Sequence, residues 1–351
     1  MRMPSKPPRN GFVATMRKLY NPIGFKKGYN FVLWLIFAGA MMGFSLARIM
    51  FLNYDGVFCG PSGNGATRAG PGECWRYNTK DVYRIGIRLH LYTIIPAAVL
   101  VCFQFTPIIR YKAILFHRVN GYIILLLSLL GTIGVFMIAR VAFGGGIDIQ
   151  VAVGVISIMF LVSLAIAYYN IKKLQLEQHR AWMLRAWFYS ACIITCRIIM
   201  GLSASVISTS RSPYYKALPC DELATFYNTT EALVSTYPEC HLLNNTAPVR
   251  ADLVEGSEEN IAAALNLTFG MGLWLALVLH AIGIEVYLHL TPAEAERLRN
   301  VSYQRQLEAG FKSPGRAGLT ADRLGDCARW NPTSDRDRFV HDEAQSALSD
   351  L

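Results

Sequence analysis

The first 28 residues contain no acidic residue, and charge of either sign is scarce throughout: 17% of the 351 residues are Asp, Glu, Lys or Arg, against 53% hydrophobic. Apolar residues come in blocks rather than periodic stripes, which excludes an ordinary soluble domain and indicates a polytopic helical membrane protein. No phosphate-binding loop, nucleophile elbow or zinc-protease motif is present, and no internal repeat is defensible. No cleavable signal peptide is expected. The first apolar block follows Lys26 and Lys27 and is too long for an h-region, so the first span is expected to stay as an anchor. The formal charge of +10 does not indicate nucleic acid, because the basic residues sit between spans, where the positive-inside rule accounts for them.

The blocks divide into six spans: about Tyr29 to Leu52, Ile85 to Phe105, Tyr122 to Ala139, Val151 to Tyr169, Ala186 to Ile207 and Ile261 to Leu290. The expected fold is an all-α polytopic bundle of about six transmembrane helices with both termini cytosolic. A basic N-terminus (1–28) precedes the bundle (29–290), and two long loops (53–84 and 208–260) lie on the far side of the membrane. Arg2, Lys6, Arg9, Arg17, Lys18, Lys26 and Lys27 hold the N-terminus in the cytosol, as do Arg110, Lys112, His117 and Arg118, and Lys172, Lys173, Arg180 and Arg185, in the later loops. Gly144 to Gln150 is short enough only for a tight hairpin. Thr291-Pro292-Ala293-Glu294 has the capping-box pattern with proline at the first helical position, so a helix should begin there. The remainder to 351 is read as a cytosolic helix and, beyond Gly310, a disordered tail rich in charge, Gly, Ser and Pro.

Cys59, Cys74, Cys220 and Cys240 all fall in the two far-side loops, whereas Cys102, Cys192 and Cys196 lie within spans. Oxidising far-side loops permit disulfides. Cys59 with Cys74 and Cys220 with Cys240 are the first pairings, with others open. Sequons at Asn228 and Asn244 share the acidic second loop and agree with that topology, while those at Asn266 and Asn300 are not expected to be used. The expected location is the endoplasmic reticulum or another endomembrane.

Ionisable residues inside spans are functional candidates by default. Toward the far side lie Arg48, Arg88, His90, Arg140 and Asp148, with Arg197 deeper. One acid among several arginines would be held ionised, giving a pocket for an anionic or strongly polar ligand head, with His90 available for proton transfer. Snorkelling of Arg48, Arg88 and Arg140 is the alternative. Toward the cytosol lie Gln104, His117, Arg118, His179, Arg180, His280, Glu285 and His289. Glu285, protonated in the membrane, is a second candidate acid with His280 beside it; alternatively it partners Arg118 or Arg180. Cys192 and Cys196 complete no metal site and read as small core residues.

Tyr20-Asn21-Pro22-Ile23-Gly24-Phe25-Lys26-Lys27-Gly28-Tyr29-Asn30-Phe31 and the run through Ala47-Arg48 resemble the opening of a set of fungal integral membrane proteins. His117-Arg118-Val119-Asn120-Gly121 and Gln178-His179-Arg180-Ala181-Trp182-Met183-Leu184-Arg185 are similar to the HR-x-x-G and HR-x-WM-x-R signatures of a wider, largely uncharacterised multi-span family. The resemblance covers about Tyr20 to Leu290. Its characterised members are fungal membrane-bound terpene cyclases of the ascofuranone-biosynthesis type. It implies a cyclase acting on a lipophilic, epoxidised and hydroxylated farnesyl-phenol by acid-assisted epoxide opening, closing an oxygen-containing ring without a cofactor. No catalytic residues carry over. The acid and base candidates therefore remain Asp148 with His90, or Glu285 with His280, with Arg48, Arg88, Arg140 and Arg197 orienting substrate oxygens. No metal-ligating acidic motif for a diphosphate is evident, which fits protonation-initiated chemistry.

Two rivals stand beside this. A haem-bearing redox protein needs two histidines at one depth within the bundle, and only His280 lies comfortably inside. A non-catalytic, transporter-like protein is the other.

Overall fold

The computed structural model describes residues 10–60 and 69–332. The helices, in order, are α1 (Gly11–Tyr20), α2 (Gly28–Leu46), α3 (Glu73–Asn78), α4 (Asp81–Gln104), α5 (Pro107–Lys112), α6 (Ile114–Ile138), α7 (Ile147–Lys172), α8 (Leu176–Ser208), α9 (Cys220–Leu223), α10 (Thr230–Thr236), α11 (Glu258–His289) and α12 (Pro292–Glu308). Strands β1 (Tyr215–Pro219) and β2 (Thr246–Arg250) pair antiparallel, Tyr215 opposite Arg250. Among the described residues α2, α4, α6, α7, α8 and α11 are long and apolar enough to cross a membrane; the chain is an integral membrane protein. Several run past the expected spans, because polar flanks such as Asp81–Arg84 and Leu176–Arg185 continue the helix beyond its apolar block.

The chain divides into two units. The first comprises the described parts of Met1–Val155 and Ile193–Ala276. Its tightest helix pair is α4 with α6, where small residues let backbones touch. A Cβ added at Gly134 would lie 2.7 Å from both Gly86 O and His90 N. Gln104 closes the other end of this pair. Its amide donates to His117 O at 3.0 Å and accepts from Asn120 Nδ2 at 2.9 Å, so the HR-x-x-G stretch serves helix packing. The Tyr20–Phe31 motif forms an aromatic cluster of Tyr20, Phe25, Phe31 and Trp34, with Phe25 and Trp34 centroids 5.4 Å apart. Gly24, at φ +96°, allows close approach to Ile108, whose N–H donates to Ile23 O at 3.0 Å.

The polar part of this unit is stapled by two disulfides, Cys59–Cys74 and Cys220–Cys240, as the cysteine positions suggested. Loop closures of 15 and 20 residues contribute about 3 kcal/mol each in the chain-entropy account. Leu218, Leu223, Leu233, Val249 and Ala262–Ala264 form its core. This second loop has strands and its own apolar core, which a reading by loop charge did not anticipate. Asn228 and Asn244 are exposed.

The second unit comprises Ile156–Cys192 and the described part of Leu277–Leu351. The link between α7 and α8 is a tight turn with Leu174 at φ +54°. Buried Gln175, Glu177, Ser302 and Gln306 hydrogen-bond one another across this turn and α12. The helix expected at Pro292 is present, but the Thr291 hydroxyl donates back to Tyr287 O at 2.9 Å instead of capping. Residues 311–332 correct the expectation of a tail disordered from Gly310. Gly315 N donates to Gln306 Oε1 at 2.6 Å, Leu319 N to Asn170 Oδ1 at 2.9 Å, and buried Asp322 pairs with Arg299 at 2.6 Å and Arg316 at 3.0 Å. Glycine there supplies positive φ, at Gly315 for instance, rather than disorder. The rest of the tail, 333–351, lies outside the described residues.

Candidate functional site

The structure separates the candidates that topology had grouped. Arg88 pairs with Asp55 at 2.5 Å and lies 4.5 Å over the Tyr54 ring. Arg140 is exposed. Asp148 is exposed as well, its carboxylate against Gly146 and Gly270, and among the described residues it has no arginine within ion-pair distance. The Asp148 carbonyl accepts from Trp274 Nε1 at 3.2 Å. His90 Nδ1 meets Gly131 O at 3.1 Å inside the α4–α6 contact, which ties that ring to helix packing.

In the second unit, Glu285 is held by Arg185 through two bonds of 2.6 and 2.9 Å. Neither expected partner serves, and Arg180 donates to Tyr287 Oη at 2.7 Å instead. His280 Nδ1 meets Phe188 O at 2.7 Å, nine residues before the end of α11. A carboxylate in a bidentate arginine pair is stabilised as the anion, which makes Glu285 a poor acid.

What the first unit does bring together is a group centred on Glu73, a residue passed over in the sequence. Glu73 opens α3 after Gly72, whose φ of +77° turns the chain into the helix. Its carboxyl accepts from Tyr77 Oη at 3.2 Å, one helical turn on, and from Gly70 N at 3.3 Å. The side chain is enclosed, and burial pushes its pKa above the usual carboxylate range, against the opposing pull of Arg197 and of the Gly70, Tyr77 and Phe143 hydrogen bonds. Burial and the neighbouring Glu73 carboxyl likewise hold the Tyr77 phenol well above its ordinary value.

Arg197 comes from α8. Its guanidinium lies 4.3 Å over the Phe143 ring and 5.2 Å from the Phe269 ring, and those two rings stack at 4.0 Å. Phe143 itself holds φ +49°, a conformation that costs a branched-Cβ-free aromatic residue roughly 1–3 kcal/mol and survives only where packing enforces it. Arg48 lies on the Phe44 ring at 3.5 Å and within electrostatic reach of Arg197. These two are the predicted arginines that share one electrostatic neighbourhood.

A second buried acid adjoins the first. Glu222 of α9 pairs with Arg76 of α3 and accepts from its Nε at 3.1 Å. A Cβ at Gly72 would meet Glu222 Oε1, so only glycine lets the segment carrying Glu73 pass. Burial raises the Glu222 pKa to about 7 despite Arg76, with Glu73 among the groups pushing upward. The group therefore holds two carboxyls whose pKa values burial raises, Glu222 to about 7, with Glu73 in contact with a phenol and faced by a fixed positive charge. That is the equipment of general-acid chemistry in a water-poor site. Glu73 and Glu222 carry no sequence signal beyond being acids close to cysteines in long loops, and only folding joins Glu222 to Arg76, 146 positions away.

The profile of a family described as "Predicted membrane protein (DUF2306)" matches residues 87–218. The chain is also similar to the Ava biosynthesis cluster protein G of Aspergillus versicolor, 26% identical over 338 residues, spanning 83% of this chain and 97% of that protein. No solved structure matches.

Proposed function

We propose that this chain is a membrane-bound cyclase of secondary metabolism that opens the epoxide of a prenylated phenol by acid catalysis and closes an oxygen-containing ring. The observation that carries the reading is the enclosed Glu73 carboxyl, bonded to Tyr77 and with its pKa raised by burial. The near full-length similarity to a protein named for a biosynthesis cluster supports a place in such a pathway, and a bilayer protein suits a substrate that already partitions into lipid.

In this mechanism Glu73 gives its proton to the epoxide oxygen as one carbon–oxygen bond breaks. A hydroxyl of the same molecule attacks the carbon released, forming the ring carbon–oxygen bond, and its proton returns to the Glu73 carboxylate. The reaction is an isomerisation, so no oxidant, reductant or leaving group is needed. Tyr77 orients the acid, and Arg197 stabilises the carboxylate formed in the middle of the cycle. Asp148, His90, Glu285 and His280 rank behind Glu73, because each is exposed or already committed to another partner. The disulfide-bearing loops face an endomembrane lumen and both termini the cytosol.

Membranes containing the protein are incubated with an epoxidised prenyl-phenol, and products are followed by mass and retention time. The expected product has the substrate's mass and a new retention time. Glu73→Gln, which keeps size and hydrogen bonding, should lower turnover about 10²- to 10⁴-fold. Unchanged substrate beside a working control cyclase, or full activity in Glu73→Gln, sinks the reading.

A further inference from the structure

Two of the buried, unpartnered hydrogen-bond donors in the first unit lie at one place. Asn266 is 5% exposed, yet its Nδ2 has no partner, and the Nε of Arg197 is enclosed and equally without one. Both flank one feature, the Phe143–Gly144 turn. A Cβ at Gly144 would lie 3.1 to 3.3 Å from the Asn266 side-chain amide, and Arg197 covers the Phe143 ring. Asn266 and Phe269 are three apart on α11 and so share its face, and Phe269 stacks on the same ring at 4.0 Å with Arg197 5.2 Å from its own centroid. An unmet buried donor costs about 1–3 kcal/mol, and two around one turn mark a place where an acceptor belongs.

Charge points the same way. Among the described residues neither Arg48 nor Arg197 has a carboxylate within ion-pair distance, and burial raises the pKa of Glu73, the acid that Arg197 acts on. The neighbourhood therefore carries surplus positive charge. Asn266 is eight residues from the start of α11 and Arg197 eleven from the end of α8, about 12 and 16 Å along those helices at 1.5 Å per residue. A ligand reaching this depth needs an apolar body with a small charged head.

We propose that Arg197 and Asn266 hold the oxyanion of an amphiphilic organic acid, a phenolate or carboxylate on a lipophilic tail, beside the Phe143–Gly144 turn. This rests on the cyclase reading for its place beside Glu73 but not for its existence. The head is fixed by Arg197 Nε and Asn266 Nδ2, Arg48 adds longer-range attraction, and the tail lies in the hydrophobic region. Substrates are thereby selected by head charge, and the reacting part of the tail is measured from that anchor.

The test uses the full chain in nanodiscs of zwitterionic lipid and needs no turnover. The probes are a farnesylated benzoate, its methyl ester and an unepoxidised farnesyl-phenol, with binding measured by calorimetry. The acid should bind at least about tenfold more tightly than its ester, a difference of about 1.4 kcal/mol. Asn266→Asp, which sets a carboxylate against the ligand without changing size, should erase that preference, and Arg197→Gln should weaken the acid alone by tenfold or more, with melting temperatures kept. Equal affinity for acid and ester, or undiminished preference in Asn266→Asp, overturns the site. Displacement of the benzoate by phosphatidylglycerol at ordinary membrane fractions also overturns it, assigning the donors to a lipid phosphate. Charge-selective binding without any ring closure would sink the cyclase and keep the anchor; turnover without charge selectivity would do the reverse.

Discussion

Glu222 shows how a single residue can report on the packing around it. Its folded-state pKa of about 7 lies above the ordinary 4.5, so the folded chain prefers the proton. That preference favours folding fully below pH 4.5 and is lost as pH rises through 7. Relative to Glu222→Gln, the wild-type protein should therefore lose a few degrees of melting temperature between pH 4.5 and 7.5, read in detergent by tryptophan fluorescence. A constant difference across that range would show that burial does not control the group. The arginines were legible as intramembrane charges, and Arg48 and Arg197 do share a neighbourhood. Glu73 and Glu222 were not legible, because an acid in a long polar loop looks solvated until disulfides and helix ends enclose it. Asp148 sits beside a span, a place that does not fix which way its side chain leaves the turn, and the structure leaves it exposed.

At the level of elements, hydropathy alone located all six long helices, since a run of apolar residues has no other stable place. Their ends were harder, because polar residues such as those from Leu176 to Arg185 continue a helix as readily as they form a loop. Contacts between helices were not readable at all. Gly134 is one of many glycines in the sequence, and only its position against Gly86 O and His90 N makes it indispensable. Gly134→Ala should cost about 1–3 kcal/mol, since backbone on the facing helix cannot step aside. Gly154→Ala, with nothing within 4 Å of the new methyl, should be neutral or raise stability by up to about 1 kcal/mol. Thermal unfolding of the two variants in detergent distinguishes a specific α4–α6 contact from a general tolerance of methyl groups. The residues from 311 to 332 teach a related lesson, because Gly315 and Gly318 looked like breakers and are instead the positions where backbone reaches Gln306 and Gln175.

At the scale of the whole molecule, the exposed sequons Asn228 and Asn244 lie in the loop that also holds the Cys220–Cys240 bridge. Expression in a eukaryotic host should give two mobility steps on deglycosylation, one lost in Asn228→Gln and one in Asn244→Gln. No shift would place that loop on the cytosolic side and reverse the proposed orientation.

The same bridges have a further bearing on the chemistry. Cys74 follows Glu73 directly, and Cys220 precedes Glu222 by two residues. Each buried carboxyl is thus moored beside one end of a covalent staple, and thiol reduction would release both moorings together. On the proposed cyclase reading, the chain acquires its acid only after oxidative maturation. Such a cyclase would then be competent only in membranes whose lumen is oxidising, and a preparation kept reduced should be silent.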